Sequence, residues 1–271
     1  MSYLKRYINK AAKIEPNEIR AVLVSFAFIF SILAAYYIIR SVRDGMSSDW
    51  SDAELSTIWT FTFFISFLVV SFYGYICSKV RFKYLVPGVY GFFALSFVLL
   101  FLLINFFPEL NLINQIFYVW VSVFSLLNIS VFWSFMADTY NKEQAKRLFG
   151  FIASGASLGA IFGPTISLIF ASRLGSESLV LISAVMLIIP LMIAIYLNKI
   201  KATDLDNTSS SEFNENEMSG NFWDGFAEVL KPPLLKNILL GIGIFIVLYS
   251  GLSTFVYFAI KNILTDIDQD T

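Results

Sequence analysis

Seven uncharged apolar blocks dominate this chain: Ala21–Ile39, Leu55–Ser78, Tyr84–Pro108, Leu110–Ala137, Leu148–Ser172, Ser178–Asn198 and Ile238–Ile260. At a rise of about 1.5 Å per residue, about 20 residues cross the roughly 30 Å hydrocarbon layer of a bilayer. Inside lipid every backbone N–H and C=O must be satisfied internally, so runs of this length are expected to be helices. The fourth block is longer than a span needs, and its helix is expected to begin near Ile113. Composition agrees: 57% of the 271 residues are hydrophobic and 14% are charged, against about 25% charged in soluble domains. The expected fold class is an all-α integral membrane bundle with the lipid bilayer as its solvent.

Lysine and arginine give the direction. With the N-terminus in the cytoplasm, residues 1–20, 79–83, 142–147 and 199–236 hold 15 of the 19 positive side chains, and the opposite segments hold only Arg40, Arg43, Arg173 and Lys261. That bias alternates correctly at every loop, as the positive-inside rule requires. The expected domains are a cytoplasmic amphipathic segment at 1–20, a six-helix bundle at 21–198, a cytoplasmic linker at 199–237, and a further span at 238–271. Tyr3, Leu4, Tyr7, Ile8 and Ala11 share one helical face in the first segment. Phe222, Trp223, Phe226, Val229 and Leu230 do the same in the linker before Pro232 and Pro233. Both read as helices lying on the membrane surface.

Several chemistries are excluded. The chain has no histidine, which removes the usual zinc sites and nucleophile–base pairs. Cys77 is the single cysteine, so no internal disulfide forms. No metal and no cofactor is expected, no basic–aromatic stretch suits nucleic acid, and no interfacial cluster suggests an enzyme. No acidic residue lies at mid-span, which argues against a proton relay in these helices.

Three constellations remain. In the fifth block Gly155, Gly159 and Gly163 recur every four residues and lead into Pro164. Small residues at this spacing let a neighbouring backbone approach closely, either as plain packing or as a seam that slides during a transport cycle. At the outer end of the first block stand Tyr36, Tyr37, Arg40, Arg43 and Asp44. Tyr36, Arg40 and Asp44 share a face if the helix continues, and arginine holds carboxylate or phosphate through paired hydrogen bonds. The alternatives are snorkelling side chains with a local ion pair or a site for an anionic small-molecule solute. The fourth block ends in Asn128, Ser130, Trp133, Ser134 and Asp138, followed by Glu143 and Arg147 at i, i+4 spacing. Asp138, Glu143 and Arg147, with Lys79 and Arg81, suggest a cytoplasmic charge network; Asn128 and Trp133 suggest a cavity lining.

These features resemble the major facilitator superfamily. Six spans, a long cytoplasmic linker with a surface helix and then further spans follow that family's plan. Gly150, Gly159, Gly163 and Pro164 match its antiporter motif, with Ser167-Leu168 in place of the closing glycine pair. Gly74, Lys79, Arg81 and Lys83 fit its loop between spans two and three, but Ser78 stands where an acid belongs. The stretches IEPNEIRAVL, YYIIRSVRDGM and VFWSFMADTYNKEQAKRLFGFIASGASLGAIFGP are similar to bacterial members related to nucleotide (ATP/ADP) exchange translocases.

The resemblance implies secondary active transport in a bacterial inner membrane, with Arg40 and Arg43 as phosphate contacts and Tyr36 or Trp133 as a stacking partner. It also implies twelve spans, so the chain reads as truncated to about seven, with a missing C-terminal half and no transport on its own. Permeases for sugars, drugs or peptides share the fold, and a non-transporting receptor or scaffold is the alternative from another class.

Overall fold

A computed structural model describes residues 14–205, apart from 78 and 109, together with residues 237, 240, 241 and 244. The chain forms two compact units, Met1–Met218 and Ser219–Thr271. In the second unit the four described residues are helical. The expected N-terminal surface helix, the linker helix and most of the seventh span Ile238–Ile260 lie outside the described residues.

The first unit is all-α. Its helices are α1 (Ile19–Met46), α2 (Asp52–Cys77), α3 (Phe82–Phe106), α4 (Asn111–Thr139), α5 (Lys142–Leu174), α6 (Ser176–Met186) and α7 (Ile188–Asp204). Among the described residues six segments are long and apolar enough to cross a membrane, the sixth being Ser176–Lys201. Short connections make successive spans antiparallel. We call the end where α1 begins the near end and the other the far end.

Local chemistry sets the boundaries. Ser51 and Glu54 cap α2 reciprocally: the Ser51 N–H donates to the Glu54 carboxylate and the Glu54 N–H to the Ser51 hydroxyl. At α5 the Asn141 side chain accepts from the Gln144 N–H while the Gln144 side chain accepts from the Asn141 N–H. Each arrangement satisfies N–H groups that a helix start leaves open. Gly175 separates α5 from α6 at φ 80, a left-handed value that glycine adopts without a Cβ clash.

The sixth span departs from expectation. Block Ser178–Asn198 reads as one helix, but the structure divides it at Leu187 into α6 and α7. Pro190 explains the break: it has no N–H for the Met186 carbonyl, and its ring crowds that carbonyl. Pro164, by contrast, lies inside α5, which runs on to Leu174.

Helix α1 is the central element, touching α4, α5, α6 and α7; α3 packs on α4, α6 and α7; α2 rides on α4. In α1 67% of the most apolar window is buried, against 11% in α2, so α1 is the helix the others assemble around. The core where α1, α3 and α4 meet is aromatic. Phe28 sits edge-on to Tyr90, Phe132 and Phe135, and Phe93 and Phe97 pack on Phe124.

Candidate functional site

The far end of α1 carries the densest polar grouping. The helix does continue past Ile39, to Met46, and this turns Arg40, Arg43 and Asp44 toward one another. Asp44 divides its carboxylate: Oδ2 accepts from Arg40 Nε at 3.3 Å, and Oδ1 accepts from Arg43 Nε at 2.9 Å and from Nη2 at 2.6 Å. Arg43 reaches across to α4, where its Nη1 donates to Ser122 Oγ at 3.2 Å and its guanidinium lies over the Tyr118 ring. Tyr118 also accepts from the Trp59 indole at 2.9 Å and packs against Trp50. A guanidinium on an aromatic face is held by the ring's negative quadrupole without losing its hydrogen-bonding edge.

Arg40 is held more loosely. It lies over Tyr37 and its side chain is 43% exposed, against 13% for Arg43. Among the described residues only its Nε donates a hydrogen bond. Its two terminal nitrogens therefore present an open fork, the geometry that carboxylate and phosphate oxygens match. Tyr36 is buried and packs on Tyr37 and Phe124.

The structure does not bring Asn128 or Trp133 to the arginines. Ser122 marks the height of Arg43 on α4, and the helical rise puts Asn128 about 9 Å and Trp133 about 16 Å farther toward the near end. Trp133 packs against Phe132 and Phe149. Asn128 is fully buried; its backbone carbonyl accepts from the Tyr90 hydroxyl, and among the described residues neither atom of its side-chain amide has a hydrogen-bond partner. Arg40 and Arg43 sit about 32 and 36 Å along α1 from Ile19, which places them at the mouth of the bundle and not at its mid-height. An apolar groove of about 570 Å³ runs between α2 and α4, with Glu54, Thr57 and Gln115 as its polar lining. Neither Arg40 nor Arg43 lines it, and its lining carries no positive charge.

The residues grouped as a charge network divide into separate contacts at the near end. Arg147 donates to both carboxylate oxygens of Glu18, at 2.8 and 3.1 Å, and to Glu15 at 3.3 Å. Asp138 accepts from Lys201 at 2.9 Å, tying α4 to α7. Lys79 lies over the Tyr75 ring. Arg81 stands at the N-cap of α3, and Glu143 in the first turn of α5. Arg20 donates to the Tyr196 hydroxyl and lies over its ring, joining α1 to α7.

Gly155, Gly159 and Gly163 face α1. A Cβ added to each would stand 2.6 Å from Phe26 O, 2.5 Å from Phe30 O and 2.7 Å from Ala34 O. The two backbones thus touch at every fourth residue of both helices. Gly150 does not belong to this seam, since an added Cβ there would meet nothing within 4 Å.

Sequence reasoning missed Trp50, Trp59, Tyr118 and Ser122. Their only signal is position near the far ends of α2 and α4, and the chain's 17% aromatic content hides it.

The sequence family described as the Major Facilitator Superfamily matches residues 21–264. No curated protein and no solved structure matches the chain.

Proposed function

The chain belongs to the Major Facilitator Superfamily, and from that premise we propose that it carries a small anionic solute, received at the mouth of the bundle by Arg40 and Arg43. Membership makes the protein a multi-pass secondary transporter. The anionic substrate is our reading, and one observation carries it: Arg40 keeps two open terminal nitrogens beside a second, fully engaged guanidinium. A site for a neutral sugar would have no use for two guanidiniums one turn apart.

Within that class we favour a phosphorylated solute, a nucleotide among the candidates, exchanged by alternating access in a bacterial inner membrane with the N-terminus cytoplasmic. Arginine forks suit phosphoryl oxygens, and the exposed Trp59 indole, hydrogen-bonded to the Tyr118 that carries Arg43, offers a flat face for a base. Tyr36 is already packed and Trp133 is too far down α4, so neither is retained as the stacking partner. Asn128 is retained as a residue of the pathway in a state that opens the α1–α4 contact, and the Gly155–Gly159–Gly163 seam as the surface that shifts, with Pro164 beside it. At the near end the contacts of Arg147 with Glu15 and Glu18 and of Asp138 with Lys201 tie segments of the bundle together, while Lys79, Arg81 and Glu143 are retained as charges at helix ends.

The test is uptake by liposomes carrying the full-length protein, with labelled ATP, ADP, inorganic phosphate and malonate offered in turn. Uptake of at least one is expected, and Arg40→Gln should reduce it about tenfold or more while leaving the melting temperature within a few degrees. Anion uptake unaffected by Arg40→Gln would remove the assignment. In intact cells a tag at Ser48 should be labelled from outside and one at Asn141 only after permeabilisation; the reverse pattern would overturn the stated orientation.

A further inference from the structure

We propose that Asp44 is the site's own counter-ion, a carboxylate that occupies both guanidinium groups while the site is empty, yields to the carried anion, and takes the arginines back on release. This rests on the reading of Arg40 and Arg43 as the anion-receiving groups, and it gives Asp44 a role distinct from binding substrate.

Three features carry it. First, Asp44 uses both oxygens on the arginines, Oδ2 on Arg40 and Oδ1 on Arg43. Among the described residues its carboxylate has no other partner. Second, Arg43 does not depend on Asp44 for its place: Ser122 Oγ and the Tyr118 ring fix it independently. Arg40, whose one hydrogen bond among the described residues goes to Asp44, keeps its contact with the Tyr37 ring when the carboxylate leaves. Removing the carboxylate thus frees Arg40 to turn to another anion beside a cation that stays fixed. Third, its side chain is 49% exposed, so it can swing aside without opening the core.

The physical need is release. Two guanidiniums one turn apart, without compensation, would hold a multiply charged anion too firmly for a carrier that must let it go; a transport site binds strongly enough to load and weakly enough to unload. A carboxylate tethered at i+1 and i+4 is present at high effective concentration. It therefore competes with every departing anion and lowers the barrier to an empty site. The chemistry selected is an anion that brings more than one charge or more acceptor oxygens than the carboxylate it displaces.

The experiment compares wild type, Asp44→Asn, Asp44→Ser and Asp44→Glu in the full-length protein, using acetate, inorganic phosphate and pyrophosphate as probes. Binding is read as inhibition of the uptake assay and as a shift in melting temperature. For both neutral variants half-saturation should fall about threefold or more, with pyrophosphate gaining most and acetate least, while the maximal uptake rate falls. Asp44→Glu should return both parameters toward wild type. A merely structural role would lower the rate without tightening binding. Folded neutral variants that bind these anions no more tightly than wild type overturn the counter-ion role. If wild type and variants alike ignore every anion, the anion site itself fails and this inference falls with it.

Discussion

The Arg147 guanidinium lies 2.8 Å from Glu18 Oε1 across 129 residues of chain, so the residues just before α1 are fastened to the first turns of α5. Glu18 is 1% exposed and also accepts from the Glu15 N–H, while Ile14 beside it is buried. The short IEPNE stretch therefore belongs to the packed bundle.

Breaking this contact should be costly. Glu18→Gln is expected to destabilise the protein by about 1–2 kcal/mol, since it removes two charge-assisted hydrogen bonds and leaves the Arg147 guanidinium with Glu15 as its remaining carboxylate. Glu18→Gln combined with Arg147→Met should recover part of that loss. Chemical unfolding in detergent gives the coupling energy, and a coupling near zero would show that the contact does not hold the segment.

Gly159→Ala should cost about 1–3 kcal/mol, because its Cβ would stand 2.5 Å from Phe30 O with Leu33 Cβ also close. Gly150→Ala meets open space and should be neutral or stabilising by up to about 1 kcal/mol through helix propensity. Thermal melts of the pair decide the matter: equal effects would contradict the seam.

Asn128→Leu should be neutral or stabilising by about 1–3 kcal/mol, because it removes a buried amide with unmet hydrogen bonds. A clear fall in melting temperature would mean that the amide has a partner, such as a trapped water.

The hydrogen bond from the Trp59 indole to the Tyr118 hydroxyl should be worth about 0.6 kcal/mol, the usual scale for contacts between membrane helices. A double-mutant cycle of Trp59→Phe and Tyr118→Phe measures it. Coupling above about 2 kcal/mol would mark Tyr118 as a core support instead of a mouth residue.

The spans were legible because lipid imposes one requirement on every residue of a run, and a run of twenty apolar letters states it without reference to the rest of the chain. The break at Leu187 has a local signal in Pro190, but a proline inside an apolar run does not by itself decide between a kink and a break, as Pro164 within α5 shows. The fourfold spacing of Gly155, Gly159 and Gly163 announces a close neighbour without saying which; that α1 supplies it at Phe26, Phe30 and Ala34 depends on how six helices share space. Arg147 shows the same gap. Local spacing offers Glu143, whereas the guanidinium reaches Glu18 and Glu15, residues brought near only by folding. At the mouth, the i, i+4 relation of Arg40 and Asp44 could be read directly. Tyr118 and Ser122 could not, because nothing in the sequence sets the height of α4 against α1.

Helix α1 is made before every helix it packs on, yet its partners at Gly155, Gly159 and Gly163 follow more than a hundred residues later. At synthesis rates of about 5–20 residues per second, Phe30 and Ala34 wait roughly ten seconds for them. During that interval the central strut of the finished bundle must survive among lipids and insertion machinery without the helix that touches its backbone most closely. The groove awaiting α5 is then open to any passing small-residue helix, so timing during biosynthesis, as much as equilibrium packing, decides whether the right one arrives.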